Sequence, residues 1–301
     1  MSCVRFLDKP GLFWKTLFLR NNRSGRVLLE ARASAPLDRN GMPNSRVKDE
    51  QTALSHGERA RYHRQLIMPE IGEEGQKKLK AARVCVVGIG GLGSTSAMTL
   101  ASTGIGYLRL VDKDIVETSN LNRQVIHWTP DLGRDKSASA GEKLSALNPE
   151  IRIHAVRMEV TDRNVVEAVG ECGLIVDATD NLAVRRVLNR FSVERGIPFI
   201  FGGVEGFQGM VTTMVPGRTP CLECLFPAGE DPPQKEIGVP GPMPGLVASI
   251  QAVEAVKLLL GVGTCLLGRL LLVRGLDMSM REVAVGRNPR CTVCSAVRRK
   301  Q

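Results

Sequence analysis

The stretch "RVCVVGIGGLGSTSAMTLASTGIGYLRLVD", residues 83–112, decides the fold. "RVCVVG" (83–88) is a continuous apolar, β-branched run that ends in glycines, "STSAMTLASTG" reads as a helix closed by Gly104, and "YLRLVD" (107–112) reads as a second strand. That order is a β-α-β unit. Its turn holds Gly88-x-Gly90-x-x-Gly93, directly after a strand and opening a helix, where free backbone N–H groups can receive a nucleotide phosphate. Asp112 ends the second strand nineteen residues after Gly93, and a carboxylate there can accept hydrogen bonds from a ribose. A tight turn with no ligand is the plainer reading of the glycines, and the pattern alone suits an NAD-dependent oxidoreductase as well as an ATP enzyme.

Outward from this unit the alternation continues. A helix is expected over Lys136–Leu147, stopped by Asn148-Pro149, then strand "IRIHAV", a helix near Val165, strand "LIVDAT", a helix from Asn181 to about Glu194, and strand "PFIFGG". The expected class is therefore α/β: a Rossmann-like, mostly parallel sheet with helices on both faces. After residue 205 the strands are spaced for hairpins ("MVTTMV", "GRLLLVRG", "REVAVG") around one helix, "GLVASIQAVEAVKLLLG", so the sheet should continue with antiparallel strands. Residues 1–55 are irregular and read as an extension, either a disordered arm or translated sequence upstream of the true start. Residues 56–301 form the folded domain, with a nucleotide-binding part at about 80–205 and a second part at about 206–301.

Composition narrows the function. The 301 residues include eight cysteines, too few for a disulfide scaffold, and no secretory signal begins the chain, so a cytoplasmic setting is expected. No apolar run approaches the roughly 18 to 20 residues that span a bilayer without a Gly or Arg break, so a membrane role is not expected. The net charge is +10, but half of it lies in residues 1–50, which hold ten Lys/Arg against five Asp/Glu. With aromatics at only 4%, nucleic acid is not the expected partner.

The stretch "DKDIVETSNLNRQ" separates a dinucleotide from ATP. Asn120, Arg123 and Gln124 follow the second strand, and Lys136 opens the next helix in "GRDKSAS". Cations gathered near a helix N-terminus suit the concentrated charge of a triphosphate more than a nicotinamide ring, although each alone could be a surface ion pair. "DATDN" (177–181) closes the fourth strand, at the edge where open α/β sheets bind ligands. Asp180 could hold magnesium on ATP phosphates, or could cap the helix that starts near Asn181.

Cys221-x-x-Cys224 and Cys291-x-x-Cys294 stand 66 residues apart, each in a Pro/Gly-rich turn. Two such pairs suit a closed tetrahedral four-thiolate zinc site, which stabilises without catalysing. A redox pair is the weaker reading, since a thioredoxin-like CxxC belongs near the start of a helix after a strand. Cys85 and Cys172 fall in or beside strands as core residues, Cys265 follows a helix end, and Cys3 lies in the extension.

The blocks "RYHRQ", "VVGIGGLGS", "VDKDIVETSNLNRQ", "GRDKS", "DATDN", "PCLEC", "PGLVASIQAVEAVKLL" and "RNPRCTVC", in this order from Arg61 to Cys294, resemble the HesA/MoeB/ThiF adenylyltransferases, bacterial relatives of ubiquitin-activating enzymes. The resemblance implies that ATP adenylates the C-terminal glycine of a small ubiquitin-like (β-grasp) sulfur-carrier protein ending in Gly-Gly, releasing pyrophosphate. The acyl-adenylate is then sulfurated to a thiocarboxylate for molybdopterin or thiamine synthesis, or for tRNA thiolation. It places the backbone at Gly90, Gly91 and Gly93 along the nucleotide, Asp112 on the ribose, Asn120, Arg123 and Lys136 on phosphates, and Asp180 beside magnesium. Gln124 and Asn181 join the same nucleotide set. Arg64 matches an arginine that reaches into the other protomer's site, which implies a homodimer. Many family members carry a cysteine before a Glu-x-Gly-Val stretch, where Gln234 stands in this chain. An enzyme that stops at the adenylate and leaves sulfur transfer to a separate persulfide donor is therefore expected, as is the lack of an appended rhodanese-like domain. A non-catalytic relative is disfavoured, since Arg64, Arg123, Lys136 and Asp180 are all present.

Overall fold

Alternate residues of the first strand, β1 (Arg83–Val87), enter two different cores. Val84 and Val86 join the apolar cluster on one face of the sheet, Cys85 and Val87 the cluster on the other, and all four are buried. A strand covered on both faces has no polar side, which is why this run reads as continuously apolar. Each fully buried valine contributes about 1.5–3 kcal/mol over its exposed state.

The computed structural model describes residues 53–228 and 238–296. Cys3, Gln234 and the rest of the 1–55 extension up to residue 52 lie outside the described residues. Ser55 is already the N-cap of α1 (His56–Arg61), where its hydroxyl accepts from the Glu58 N–H at 3.0 Å and the Glu58 carboxylate accepts from the Ser55 N–H at 2.7 Å. Then follow α2 (His63–Leu66), α3 (Gly72–Ala81), β1, α4 (Gly91–Thr103), β2 (Tyr107–Asp112), α5 (Lys136–Leu147), β3 (Arg152–Arg157), α6 (Val165–Val169), β4 (Leu174–Asp177), α7 (Leu182–Arg195), β5 (Phe199–Glu205), β6 (Gln208–Met214), α8 (Leu222–Leu225), α9 (Pro242–Leu260), β7 (Arg269–Arg274) and β8 (Ser279–Ala284).

The strands form one eight-stranded sheet, ordered β3-β2-β1-β4-β5-β6-β7-β8. From β3 to β5 the pairing is parallel, and from β5 to β8 antiparallel. The sheet runs unbroken across residue 205, because β5 and β6 pair along their whole length from Phe199–Met214 to Glu205–Gln208. Strand order reverses between β1 and β4, and the crevice at their carboxyl ends is where such sheets hold ligands. Residues of α3, α4, α5 and α9 cover one face of the sheet, those of α6, α7 and α8 the other.

One expectation is corrected. Pro242–Leu260 is a 19-residue helix with a mean hydropathy of 1.4 in its most apolar window, long and apolar enough by length and composition to cross a bilayer. Its apolarity has a different cause. Val247, Ala248, Ala252, Ala255, Leu258 and Leu260 are buried in the protein's own core, where α9 packs on α3, α4, β5 and β6. The helix is apolar nearly all round because the protein surrounds much of it.

Candidate active site

The glycines after β1 do two different jobs. A Cβ on Gly93 would lie 1.8 Å from the Gly88 carbonyl oxygen, and one on Gly88, at φ +86°, would lie 2.7 Å from the Ala178 carbonyl oxygen. These two let α4 start hard against β1 and let the β4 turn close over it. Gly90 instead faces open space, with only the Gln124 amide nitrogen 3.6 Å from a would-be Cβ. It is also the N-cap of α4 and supplies no side-chain cap, so the first amides of a 13-residue helix are left for a ligand.

Around this helix start lie several of the residues expected from the sequence to bind a nucleotide. Asp112, at the end of β2, accepts from the Ile89 N–H at 2.6 Å and the Asp114 N–H at 2.8 Å. Burial raises its carboxyl above the usual range, and those two N–H donors and nearby Lys136 oppose the rise. Gln124 is buried, and its side-chain oxygen has no hydrogen-bond partner. The amide nitrogen is the atom that faces the glycine turn, and the unpartnered oxygen is left to accept from a ligand donor. The Arg123 stem lies 3.7 Å from a would-be Cβ on Gly91, and its guanidinium donates to the Ser119 carbonyl at 2.7 Å and the Asn122 side chain at 3.1 Å. Asn120 is buried, with its oxygen accepting from the Glu117 N–H at 3.1 Å.

Lys136 is the first residue of α5, only 6% exposed, with its ammonium 3.1 Å from Asp114 Oδ2. A cation at a helix N-terminus opposes the helix dipole, so this position does not favour stability and points to an anionic ligand. Asp180 follows β4 and is exposed; among the described residues no hydrogen bond or ion pair engages its carboxylate. The helix cap belongs to Asn181, whose Oδ1 accepts from Ala183 N–H at 2.8 Å and Val184 N–H at 3.2 Å. That corrects the capping alternative for Asp180 and commits the Asn181 oxygen to α7. Arg64 is exposed on α2, which packs on α1 and α3, and is without a side-chain partner among the described residues.

Residues the sequence reading passed over complete the site. His127 is buried, its Nε2 3.1 Å from the Ile89 carbonyl and its Nδ1 3.0 Å from Ser139 Oγ. A carbonyl can only accept, so Nε2 carries the proton and donates, while Nδ1 accepts from the hydroxyl. Burial pushes the His127 pKa down, Lys143 and Lys136 push the same way, and the Ile89 carbonyl opposes. The only sequence signal was the "RQVIH" run itself, where a histidine follows Val125 and Ile126 directly after Arg123 and Gln124.

The four cysteines of the two CxxC pairs meet, their sulfurs all within 4.8 Å of one another. Cys221 Sγ is 3.6 Å from Cys291 Sγ, and Cys224 Sγ 3.5 Å from Cys294 Sγ, too far for disulfides. A tetrahedron of zinc–sulfur bonds of about 2.3 Å has edges of roughly 3.8 Å, so the cluster has the size of a four-thiolate metal site. Hydrogen bonding from Cys221 pulls the Cys224 thiol down to about 5, and the same contact pushes Cys221 up. The Asn288 N–H donates to Cys224 at 3.4 Å and the Cys294 N–H to Cys291 at 3.5 Å, as backbone amides do around metal-bound sulfur.

The likeness to known proteins spans nearly all of this architecture. The model of the ThiF family matches residues 62–293. The sulfur carrier protein adenylyltransferase of Thermus thermophilus is 44% identical over 243 residues, covering 78% of this chain and 90% of the relative. The SAMP-activating enzyme E1 of Haloferax volcanii is 44% identical over 238 residues, covering 78% and 88%. Among solved structures, E. coli MccB with ATP superposes with a TM-score of 0.67 at 26% identity, over 73% of this chain and 69% of that one. From the β-α-β glycine turn to the second cysteine pair, the chain belongs to the ThiF family.

Proposed function

We propose that this protein is an ATP-dependent adenylyltransferase that activates the C-terminal glycine of a small β-grasp sulfur-carrier protein ending in Gly-Gly. The observation that carries this reading is the meeting of an uncapped helix start at Gly90, the orphaned Gln124 amide, Arg123 and the nearly buried Lys136 at one end of the sheet. Relatives named as sulfur carrier protein adenylyltransferase and SAMP-activating enzyme support the carrier as the acceptor.

The chemistry follows from charge. The glycine carboxylate is already ionised, so its attack on the α-phosphorus needs no general base; a new O–P bond forms, the α–β phosphate bridge breaks, and pyrophosphate leaves. Two anions must approach, so the chain's contribution is positioning and cationic stabilisation. Backbone amides at Gly90, Gly91 and Gly93 hold phosphate, Asp112 holds the ribose, Asn120, Arg123 and Lys136 face phosphate oxygens, Gln124 meets the nucleotide beside the glycine turn, and Arg64 is supplied from the second copy of a homodimer. Asp180, exposed and unengaged, fits magnesium, which favours one or two carboxylates plus phosphate oxygens and would neutralise charge on the nucleotide. The four cysteines fit a structural zinc. A separate persulfide donor then attacks the acyl-adenylate, releasing AMP and leaving an acyl disulfide, and a second thiol outside this chain takes up the donor's sulfur as a disulfide and frees the thiocarboxylate; a reducing cytoplasmic setting fits the absence of disulfides among the seven described cysteines.

Pyrophosphate exchange into ATP tests this. It is expected only with a carrier ending in Gly-Gly and to be lost when the terminal glycine is removed. Absence of exchange with every such carrier, alongside NAD binding at the glycine turn, would replace this reading with the oxidoreductase one.

A further inference from the structure

Asp177 and Arg185 form a buried ion pair that no step of the proposed reaction uses. Asp177 is 0% exposed and Arg185 7%, with Arg185 Nε 3.2 Å from Asp177 Oδ2. The other carboxylate oxygen accepts from the Thr179 N–H at 3.0 Å and the Thr179 hydroxyl at 2.7 Å. Arg185 Nη2 donates to the Thr179 carbonyl and, at 2.9 Å, to the Gly202 carbonyl on β5. Its guanidinium lies over the Phe201 ring, 4.9 Å from the centroid. From the other side Gln251 of α9 donates to the Asp177 carbonyl at 2.7 Å. An ion pair buried this deeply costs desolvation and is a poor way to gain stability.

What the pair holds is the peptide next to Asp180. The Thr179 carbonyl shares a planar peptide unit with the Asp180 N–H, so fixing that oxygen fixes how the chain enters Asp180. On the exit side the Asn181 cap anchors the chain to α7. Asp180 thus stands between two anchors with its own carboxylate unengaged. Arginine is suited to the task because its planar fork meets Asp177, Thr179 and Gly202 together, whereas a lysine offers the charge without the fork.

We propose that Arg185, through Asp177 and Thr179, is a positioning residue that aims the Asp180 carboxylate at the nucleotide-bound magnesium. This rests on the adenylyltransferase reading. It predicts a defect confined to the magnesium-dependent part of nucleotide binding.

The experiment is calorimetric titration of the full chain with ATP, in EDTA and in excess magnesium, with no carrier present and hence no turnover. Wild type should bind ATP in EDTA and more tightly with magnesium. Arg185→Gln and Thr179→Val should leave the EDTA affinity within about twofold and lose about tenfold of the magnesium gain, the size of effect expected for a group that orients a metal ligand. Arg185→Lys should fall between. Asp180→Asn should abolish the gain, and Arg185→Gln added to it should cost nothing more, because both act through one carboxylate. Thr179→Val, which removes one hydroxyl at a half-buried position, carries the test if Arg185→Gln does not fold. A full magnesium gain in Thr179→Val or Arg185→Gln, or additive losses in the double variant, would overturn the proposal. Wild type that binds ATP with no magnesium gain would overturn it too, leaving the adenylyltransferase reading standing; wild type that binds no ATP would remove both.

Discussion

The Asp112 carboxylate accepts the Ile89 N–H at 2.6 Å, so the end of β2 is tied directly to the glycine turn at the end of β1. Oδ2 serves that tie and Oδ1 accepts from the Asp114 N–H at 2.8 Å, so under the nucleotide assignment a ribose would meet the remaining lone pairs. Asp112→Ala should weaken ATP binding by roughly 10- to 100-fold, the loss expected for hydrogen bonds to a charged group worth about 1.5–3 kcal/mol. Titration calorimetry reads it, and unchanged affinity would remove Asp112 from the site.

Lys136 and Arg123 should separate activity from stability. Lys136 sits where the dipole of α5 disfavours a cation, and among the described residues Arg123 hydrogen-bonds only within its own loop. Lys136→Ala and Arg123→Ala should each abolish pyrophosphate exchange and move the thermal midpoint by no more than about 3 °C, because Lys136 gives up a charge that the α5 dipole disfavours and a pair whose Asp114 partner is 53% exposed, and Arg123 gives up an exposed contact in its own loop. Normal exchange in both would sink the phosphate assignment.

Much of this was legible before the structure. β2 and α5 fall at their expected residues because each has unmistakable punctuation: β2 opens after Gly104 and Gly106 and ends at Asp112, and Asn148-Pro149 stops a helix that opens at Lys136. The helices before β1 were not legible. α3, "GEEGQKKLKA", is mostly polar and buries little beyond Leu79, Gly75 and Gln76, so periodicity carries almost no signal there. In the candidate site, the residues proposed to meet the nucleotide stand in motifs and were readable from spacing. His127, Arg185 and Gln251 were not, because each works through a contact with a distant main-chain oxygen (Ile89, Gly202, Asp177) that only the folded sheet brings near, and the role of Asp177 depends on its pairing with Arg185.

His127 gives a pH dependence with a definite sign. Its folded pKa lies below its unfolded value, about 6.5, so the folded state binds fewer protons than the unfolded one around that pH. Its contribution to stability is complete above about pH 6.5 and is lost as pH falls through the folded pKa. His127→Gln keeps a donor for the Ile89 carbonyl without the titration. Urea unfolding at pH 7.5 and pH 5 should show wild type's advantage over the variant shrinking on the acid side; a constant difference would contradict the assignment.

The cysteine cluster should hold one zinc per chain. Cys224→Ser should release it and lower the thermal transition by at least about 5 °C, since metal binding to such a site is folding free energy. Elemental analysis and calorimetry check the two halves. Chelation that strips the metal and leaves the transition in place would mean that the four sulfurs do not stabilise the fold.

Arg64 tests the second copy. The side chain is exposed on α2 beside Ile67 and Met68, which are 61% and 43% exposed, an apolar surface that a partner protomer would cover. If Arg64 acts across a two-fold interface, Arg64→Ala and Lys136→Ala chains will each be inactive alone but will complement when mixed. Half of randomly paired dimers then contain one of each, and in those one site has both its own Lys136 and its neighbour's Arg64. Mixing should therefore restore roughly a quarter of wild-type exchange, as expected for a symmetric dimer with two composite sites. Recovery requires subunit exchange, so the two variants are refolded or co-expressed together, with wild type treated the same way as the reference. No recovery in co-expressed, dimeric material would place Arg64 in its own chain's site or outside the reaction.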